Sequence, residues 1–149
     1  MITGFNHTSF TVPDVERAVR FWCDALGFEH APIVERTLPW VAKVTGVPDA
    51  RIKVAHLFGY HHHMEFIEYE NASRECPMAT PDQSGVGHVC LEVRDIYCTY
   101  EQLLAAGATP LGEVTEIQDP NVAPCRAGYL RDPNGIIIEL LELEVTDTP

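Results

Sequence analysis

Residues 6–14 read NHTSFTVPD and residues 87–95 read GHVCLEVRD. In both segments a histidine comes second, an apolar residue follows three positions later, and a valine and a terminal aspartate complete the match. A second pair of segments also matches, since residues 64–68 read MEFIE and residues 138–142 read IELLE. Two related copies of one unit at this spacing indicate an internal duplication.

The sequence around the matched segments predicts the same order of elements in each copy. Aromatic and β-branched residues predict a strand, apolar residues at helical spacing then predict a helix, and three further strands follow. The predicted modules cover about residues 3–70 and 86–144, and the polar, aperiodic segment 71–85 is the predicted linker between them. We therefore expect a single domain, residues 1–149, with an α+β fold of tandem βαβββ modules.

Capping and turn residues mark the ends of several elements. Asp14 and Asp95 each precede apolar residues at helical spacing, so both are predicted helix N-caps. The strand that follows each helix is predicted as one continuous segment, residues 28–35 in the first copy and 109–117 in the second. Residues 59–62, GYHH, are predicted to join two strands as a tight hairpin.

Composition restricts the classes of partner. The formal net charge is -12, from 22 acidic and 10 basic residues. Such a field repels phosphate backbones and anionic lipids, so it disfavours nucleic acid and membrane surfaces as partners. No apolar run approaches the roughly 20 residues that span a bilayer, and residues 1–10 lack the regions of a signal peptide. A small-molecule ligand or substrate is the expected partner.

The cysteines indicate a reducing compartment. None of the five forms a CxxC pair, and an odd count leaves at least one unpaired. Free thiols are typical of the cytoplasm, which is the predicted localisation. We expect all five cysteines to be packing residues. The cysteines are Cys23, Cys76, Cys90, Cys98 and Cys125.

The segments 64–68 and 138–142 each contain two glutamates, and side-chain alternation along a strand places these two on opposite faces. Glu65 and Glu68 point to opposite faces of one strand, as do Glu139 and Glu142 in the other. Glu65 and Glu139 each stand between apolar residues. A buried carboxylate is costly unless it is neutralised, paired or metal-bound. We expect Glu65 and Glu139 on the inner face, and Glu68 and Glu142 facing out.

Two histidines complete a set of metal donors. His7 and His88 occupy the same position in the first strands of the two copies, and imidazole nitrogens bind borderline cations. Taken singly, such histidines and glutamates are more often structural or exposed, but their recurrence at matched positions favours a shared site. A nitrogen and oxygen set without thiolate suits Zn, Ni, Co, Mn or Fe(II). The predicted ligands of one divalent ion are His7, Glu65, His88 and Glu139.

Four segments of the chain resemble the vicinal oxygen chelate superfamily. They are HTSFTVPDVERAVRFWCDALGFE from residue 7, HMEFIEYE from residue 63, GHVCLEVRDI from residue 87 and YLRDPNGIIIELLE from residue 129, so the resemblance extends over nearly the whole chain, from residue 7 to residue 142. That superfamily includes glyoxalases, methylmalonyl-CoA epimerases, extradiol dioxygenases, fosfomycin-resistance transferases and metal-free bleomycin-binding proteins. The resemblance implies paired βαβββ modules that form a cupped mixed sheet with outer helices around the metal, in a homodimer.

The fourth metal position favours one branch of the superfamily. Extradiol dioxygenases and fosfomycin-resistance enzymes use two histidines and one carboxylate, whereas Glu65 supplies a second carboxylate here, which resembles the glyoxalase arrangement. Methylmalonyl-CoA epimerases usually carry glutamine at this position, and the bleomycin-binding relatives lack the ligands. The resemblance therefore implies a metal-dependent lyase, isomerase or epimerase of the glyoxalase type.

The expected chemistry is proton abstraction next to a carbonyl. A metal with open positions can bind two neighbouring substrate oxygens and stabilise an enediolate. A carboxylate beside it then removes and returns the proton, with Glu139 the first choice for this catalytic base and Glu65 the second. Two alternatives stay open: a small Fe(II) extradiol-type dioxygenase, and a non-catalytic protein that binds a small molecule, as the antibiotic-resistance relatives do.

Residues that shape a substrate pocket are less clearly marked. The segment 38–48, which carries Trp40, either lines the pocket or is a packed connection. We expect the histidine run 61–63 to be exposed to solvent, and no role is predicted for His30 or His56. The arginines that could bind substrate carboxylates are Arg36, Arg51 and Arg126, and the aromatic residues that could make the pocket apolar are Phe10, Phe58 and Tyr129.

Overall fold

The computed structural model describes residues 1–72 and 79–144. The chain divides into two compact units, Met1–Pro77 and Met78–Pro149. Part of the predicted linker, residues 73–78, lies outside the described residues. The division follows the internal duplication, because each unit contains one copy of the matched segments.

The first unit contains one mixed sheet. Its strand order is β1-β5-β4-β2, with β3 also paired to β4, and the β1–β5 pair is the only parallel pairing among the described strands of this sheet. The elements in chain order are β1 (Thr8–Thr11), α1 (Val15–Asp24), β2 (Glu29–His30), β3 (Val34–Arg36), α2 (Trp40–Thr45), β4 (Ile52–Gly59) and β5 (His62–Tyr69).

The second unit repeats this topology. Its strand order is β6-β10-β9-β7, with β8 also paired to β9, and β6 runs parallel to β10. No helix within the described residues is long and apolar enough to cross a membrane. The elements in chain order are β6 (His88–Glu92), α3 (Ile96–Ala105), β7 (Thr109–Pro110), β8 (Thr115–Ile117), β9 (Cys125–Arg131) and β10 (Ile137–Leu143).

The predicted fold class, α+β with tandem βαβββ modules, is confirmed. The main difference concerns the strand after each helix, which is broken into two short pieces. In the first unit β2 ends at His30 and β3 begins at Val34, with Pro32 between them. Proline cannot donate to a strand ladder, and the intervening segment carries one more residue than the paired stretch of β4. The two pieces together therefore act as the second strand of the module.

Both predicted helix caps are present. The Asp14 carboxylate accepts a hydrogen bond from the Arg17 amide at 2.8 Å, and the Asp95 carboxylate accepts one from the Cys98 amide at 2.9 Å. The apolar face of α1 packs on the sheet, where Trp22 lies against Phe66 with ring centroids 5.5 Å apart. Burial of these side chains fixes which face of β5 belongs to the core.

The structure corrects the prediction for Glu68 and Glu142. Neither faces solvent as an outer strand residue would, because both lie on the face that the helices cover. Glu68 is only 7% exposed and accepts a hydrogen bond from the Val15 amide at 3.0 Å, while Glu142 accepts one from the Ile96 amide at 3.1 Å. Each carboxylate thus satisfies an amide at a helix N-terminus, where the helix dipole also favours negative charge.

We expect Glu68→Ala to lower the free energy of unfolding by about 1 to 3 kcal/mol, because it leaves the buried Val15 amide without this acceptor. Glu68→Gln keeps an acceptor oxygen and should cost less. Urea unfolding monitored by circular dichroism measures both values. The matched control is Glu142→Ala, whose side chain is 18% exposed and whose loss should cost less than that of Glu68. Equal stability of Glu68→Ala and the parent chain would contradict the capping role.

Candidate metal centre

In the first module the parallel pairing of β1 and β5 brings a histidine beside a glutamate. His7 immediately precedes β1, and Glu65 lies opposite Ser9 in the register of the two strands. The distance from His7 Nε2 to Glu65 Oε1 is 3.4 Å, and the side chains are 33% and 16% exposed. His7 Nδ1 is within 2.7 Å of Asn6 Oδ1, which leaves Nε2 as the nitrogen that faces the carboxylate.

The second module repeats the arrangement on β6 and β10. His88 is the first residue of β6, and Glu139 lies opposite Cys90 in the parallel register. The distance from His88 Nε2 to Glu139 Oε2 is 3.0 Å, with side chains 43% and 20% exposed. The predicted ligands are therefore brought together as two equivalent pairs, one within each module.

Both pairs have the spacing that two ligands of one ion require. Donor atoms about 2.0 to 2.2 Å from a metal lie roughly 3.0 to 3.4 Å apart in octahedral or tetrahedral coordination. The observed separations of 3.4 Å and 3.0 Å fall in this range. Within residues 1–72 and 79–144, no group of three or more His, Cys, Asp or Glu side chains is already arranged to hold an ion. The donor chemistry and the spacing of each pair fit a divalent cation.

Strand alternation places Glu65 on the sheet face opposite α1 and Glu139 on the sheet face opposite α3. Met64 and Phe66 are 4% and 0% exposed on the helix-covered side of β5, and Glu65 between them points the other way. In β10 the flanking residues Ile138 and Leu140 are both fully buried, and Glu139 is again intermediate. The two carboxylates therefore lie on partly accessible surfaces, where a ligand can reach them.

Glu65 and Glu139 each have a cross-strand partner on the neighbouring antiparallel strand, β4 or β9. This partner differs between the modules. His56 lies opposite Glu65, and its Nε2 is 3.8 Å from Glu65 Oε2. Tyr129 lies opposite Glu139, and its hydroxyl donates to Glu139 Oε2 at 3.3 Å. Burial lowers the pKa of His56, and burial followed by the charge of Glu139 raises the pKa of Tyr129. Both shifts favour neutral side chains beside the carboxylates.

The prediction that the whole histidine run is exposed is wrong for His63. Because β5 begins at His62, His63 falls on the same face as Glu65 and is half-buried. Its Nε2 is 3.0 Å from His56 Nδ1, and its ring stacks on Phe58 with centroids 4.5 Å apart. Sequence reasoning missed both His56 and His63. The position of His63 two residues before Glu65 was a usable signal, whereas the role of His56 depends on cross-strand register.

Cys90 is also part of the second site rather than of the packing. It lies opposite Glu139 on β6, and its thiol hydrogen-bonds to that carboxylate. Burial, followed by the charge and hydrogen bond of Glu139, raises the pKa of Cys90 to about 11 from an ordinary 9.0. The cysteines of the described segments are all free thiols: Cys23, Cys90, Cys98 and Cys125.

Other residues proposed for a pocket lie elsewhere. Phe10 is paired with Phe66 and points to the helix-covered side, where it is partly buried against that ring. Arg51 is bound to Glu70 at 2.8 Å, and Arg126 lies 3.6 Å from the helix-capping Glu142. These contacts give both arginines structural partners.

The segment 38–48 forms a helix and its flanking turns. Val41 of α2 is fully buried in a cluster with Ala50, Ile52 and Val54, so part of the segment is a packed connection. Ile52 and Val54 lie opposite Tyr69 and Ile67, on the same face of the sheet as Glu65. Trp40 is 45% exposed at the start of the helix. The segment covers the glutamate-bearing face of the first sheet beyond the His7–Glu65 pair.

The sequence matches the Glyoxalase/Bleomycin resistance protein/Dioxygenase superfamily over residues 4–140. The chain belongs to this superfamily. A glyoxalase family protein from Bacillus cereus has the same fold, with a TM-score of 0.81 and 22% identity over 96% of this chain and 95% of its own. This likeness agrees with the duplicated βαβββ modules.

Curated relatives within the superfamily include two epimerases and a lyase. A 2-epi-5-epi-valiolone epimerase from Actinomyces is 28% identical over 93% of this chain and 78% of its own length. An ethylmalonyl-CoA/methylmalonyl-CoA epimerase from Cereibacter sphaeroides is 29% identical over 94% and 98% respectively. A lactoylglutathione lyase from Haemophilus influenzae is 25% identical over 94% and 93%. These relatives are thus named as two epimerases and one lyase.

We expect Cys90 in chelator-treated protein to be alkylated slowly at pH 8, because a pKa of about 11 leaves about a hundredfold less thiolate than the ordinary 9.0. Glu139→Gln removes the negative charge, lowers the pKa of Cys90 and should speed its alkylation. Mass spectrometry after iodoacetamide treatment follows Cys90, with exposed Cys98 as the internal reference. Glu92→Gln is the matched control with a smaller effect. An unchanged rate in Glu139→Gln would contradict the contact.

Proposed function

We propose that this member of the superfamily is a metal-dependent enzyme of the glyoxalase type, a lyase, isomerase or epimerase that moves a proton next to a carbonyl. The observation that carries the proposal is the repetition of one His–Glu pair, at ligand spacing, in both modules. Both pairs lie on partly accessible faces, where an ion can reach the histidine and the glutamate together. The epimerases and lyase among the relatives support the same class.

The proposed ligands of one divalent ion are His7, Glu65, His88 and Glu139. Two neutral imidazoles and two carboxylates suit Zn, Ni, Co, Mn or Fe, and two anionic ligands balance the charge of the ion. When bound, the ion would supply a Lewis acid that stabilises negative charge developing on substrate oxygens. No thiolate is required, since the Cys90 thiol stays protonated at neutral pH beside Glu139.

Glu139 is the proposed catalytic base, with Glu65 as the second choice. The Tyr129 hydroxyl and the Cys90 thiol both donate to Glu139, and such donors fix the orientation of a carboxylate. A carboxylate held in this way can accept a substrate proton and return it to the neighbouring carbon, which gives isomerisation. Epimerisation requires a second proton donor on the opposite face of the carbon, and Glu65 is the candidate for that role.

The proposed partner is a small molecule that carries an acidic C–H bond beside a carbonyl. Of the three candidate arginines, Arg51 and Arg126 are engaged by Glu70 and Glu142, whereas the charge of Arg36 acts on His56 beside Glu65. Assembly as a homodimer is part of the same proposal and follows from the family resemblance alone.

We expect the purified chain to bind one equivalent of Zn, Ni or Co per proposed site, and Glu65→Gln and Glu139→Gln each to weaken that binding by about tenfold or more. Isothermal titration after chelator treatment measures stoichiometry and affinity. Glu68→Gln is the matched control, because Glu68 lies on the helix-covered face of the same strand and should leave metal affinity unchanged. A parent chain with no affinity for these ions would overturn the proposed site.

We expect the metal-loaded chain to exchange the carbon-bound proton of its substrate with deuterated water, and Glu139→Gln to slow that exchange by about a hundredfold or more. Methylmalonyl-CoA, 2-epi-5-epi-valiolone and lactoylglutathione are the first probes, and NMR or mass spectrometry reports incorporation. If Glu65→Gln abolishes exchange while Glu139→Gln retains it, the roles of the two glutamates are reversed. Oxygen consumption with a catechol under Fe(II) loading would instead indicate the dioxygenase chemistry.

A further inference from the structure

A stacked pair of aromatic rings, Phe58 and His63, lies beside the first module's His7–Glu65 pair. The two residues are directly opposite each other in the register of β4 and β5, and their ring centroids are 4.5 Å apart with an interplanar angle of 22°. His56 and Glu65 form the next row of partners on the same face, because side chains two residues apart on a strand share a face. We call Phe58 and His63 the aromatic platform.

The aromatic platform adjoins the side chains of the proposed metal centre. The His63 ring centroid is 5.3 Å from that of His7, and His63 Nε2 is 3.0 Å from His56 Nδ1. Phe58 and Glu65 are diagonal neighbours across the two strands. Diagonal neighbours lie about 7 to 8 Å apart, a distance that aromatic side chains can bridge. A molecule bound beside Glu65 would therefore have its nearest substituents within reach of the Phe58 ring.

The Phe58 ring is available for such a contact. His63 stacks on one side of it, and the residue nevertheless stays 47% exposed. Glu29 lies opposite Phe58 on β2 and is also exposed, so negative charge adjoins this side of the platform. An anionic substituent would be repelled there, whereas an uncharged apolar one would gain from covering the exposed ring.

The equivalent positions of the second module carry no aromatic pair. Strand register makes Arg131 the equivalent of Phe58 and Ile137 the equivalent of His63. Both are buried, and Arg131 donates to the carbonyl oxygen of Gly135 at 2.9 Å. In the second module these two positions therefore serve the packing of the unit. The topology of a module does not require two stacked rings here, and the first module presents its rings to solvent.

We propose that the aromatic platform is a substrate-specificity site, which packs against a flat, uncharged apolar group carried next to the substrate's carbonyl. This inference rests on the proposed function, whose substrate it narrows to compounds with an aromatic or unsaturated substituent at that position. Aromatic rings favour offset-stacked and edge-to-face contacts with one another, and His63 holds the Phe58 ring from the other side. The platform supplies no ligand to the ion, so open positions stay available for substrate oxygens.

The test measures how the zinc-loaded chain distinguishes benzohydroxamate from acetohydroxamate. Both probes chelate a metal through the same two neighbouring oxygens, and they differ in the phenyl or methyl group on the carbonyl carbon. In isothermal titration we expect the parent chain to bind benzohydroxamate about tenfold more tightly, and Phe58→Ala to reduce this ratio to about twofold. Because the chelating atoms are shared, the ratio cancels any effect of a variant on the metal itself.

Matched variants separate the platform from general effects on the chain. Tyr97→Ala is the control, because Tyr97 is 56% exposed on α3 and should leave the ratio unchanged. Phe58→Tyr retains a flat ring and should keep the ratio, whereas His63→Ala removes the support of that ring and should lower it. Thermal melts of the metal-free variants check that each is folded.

Each outcome separates the inference from the proposed function. Magnetisation transfer in NMR spectra between the phenyl protons of benzohydroxamate and the Phe58 ring would support the contact directly. Equal affinity of the zinc-loaded parent chain for the two probes, or an unchanged ratio in Phe58→Ala, would overturn the inference and leave the metal site in place. A parent chain that binds no zinc, or that binds zinc and neither probe, would overturn both proposals.

Discussion

Parallel pairing of the first and last strands of each module is the constraint on which the sites depend. It sets Ser9 opposite Glu65 and Cys90 opposite Glu139, so the histidine two residues earlier reaches the carboxylate in both modules. A slip of one residue would turn each glutamate into the helix-covered face, because side chains alternate along a strand. The burial of Phe66 and Leu140 on that face holds the register in place.

The last strand of each module carries two glutamates that are three residues apart and point to opposite faces of the sheet. Glu68 and Glu142 lie under the helices and accept hydrogen bonds from the first helical amides. Glu65 and Glu139 face away and remain partly accessible. The carboxylate that stabilises the fold and the carboxylate that is available for chemistry are therefore positioned by the same strand. A repeated Glu-x-x-Glu pattern is therefore compatible with a packed core on one face of the strand and a partly accessible surface on the other.

The duplication has left two sites with the same pair and different surroundings. Glu65 is placed among imidazoles, whereas Glu139 accepts hydrogen bonds from a phenol and a thiol. The two pairs therefore have different neighbours, because the antiparallel strand beside each glutamate carries a histidine in the first module and a tyrosine in the second.

The sequence by itself determined the duplication, the βαβββ order, the helix caps at Asp14 and Asp95 and the recurring His–Glu pairs. All of these follow from local periodicity or from identical residues at matched positions. Only the tertiary structure decided which side chains lie across from each glutamate, because cross-strand register joins residues far apart in the chain. Cross-strand register places His56 opposite Glu65 and Tyr129 opposite Glu139. Glu68 is buried because a helix covers its face of the sheet. Such contacts have no signature in any single segment of sequence.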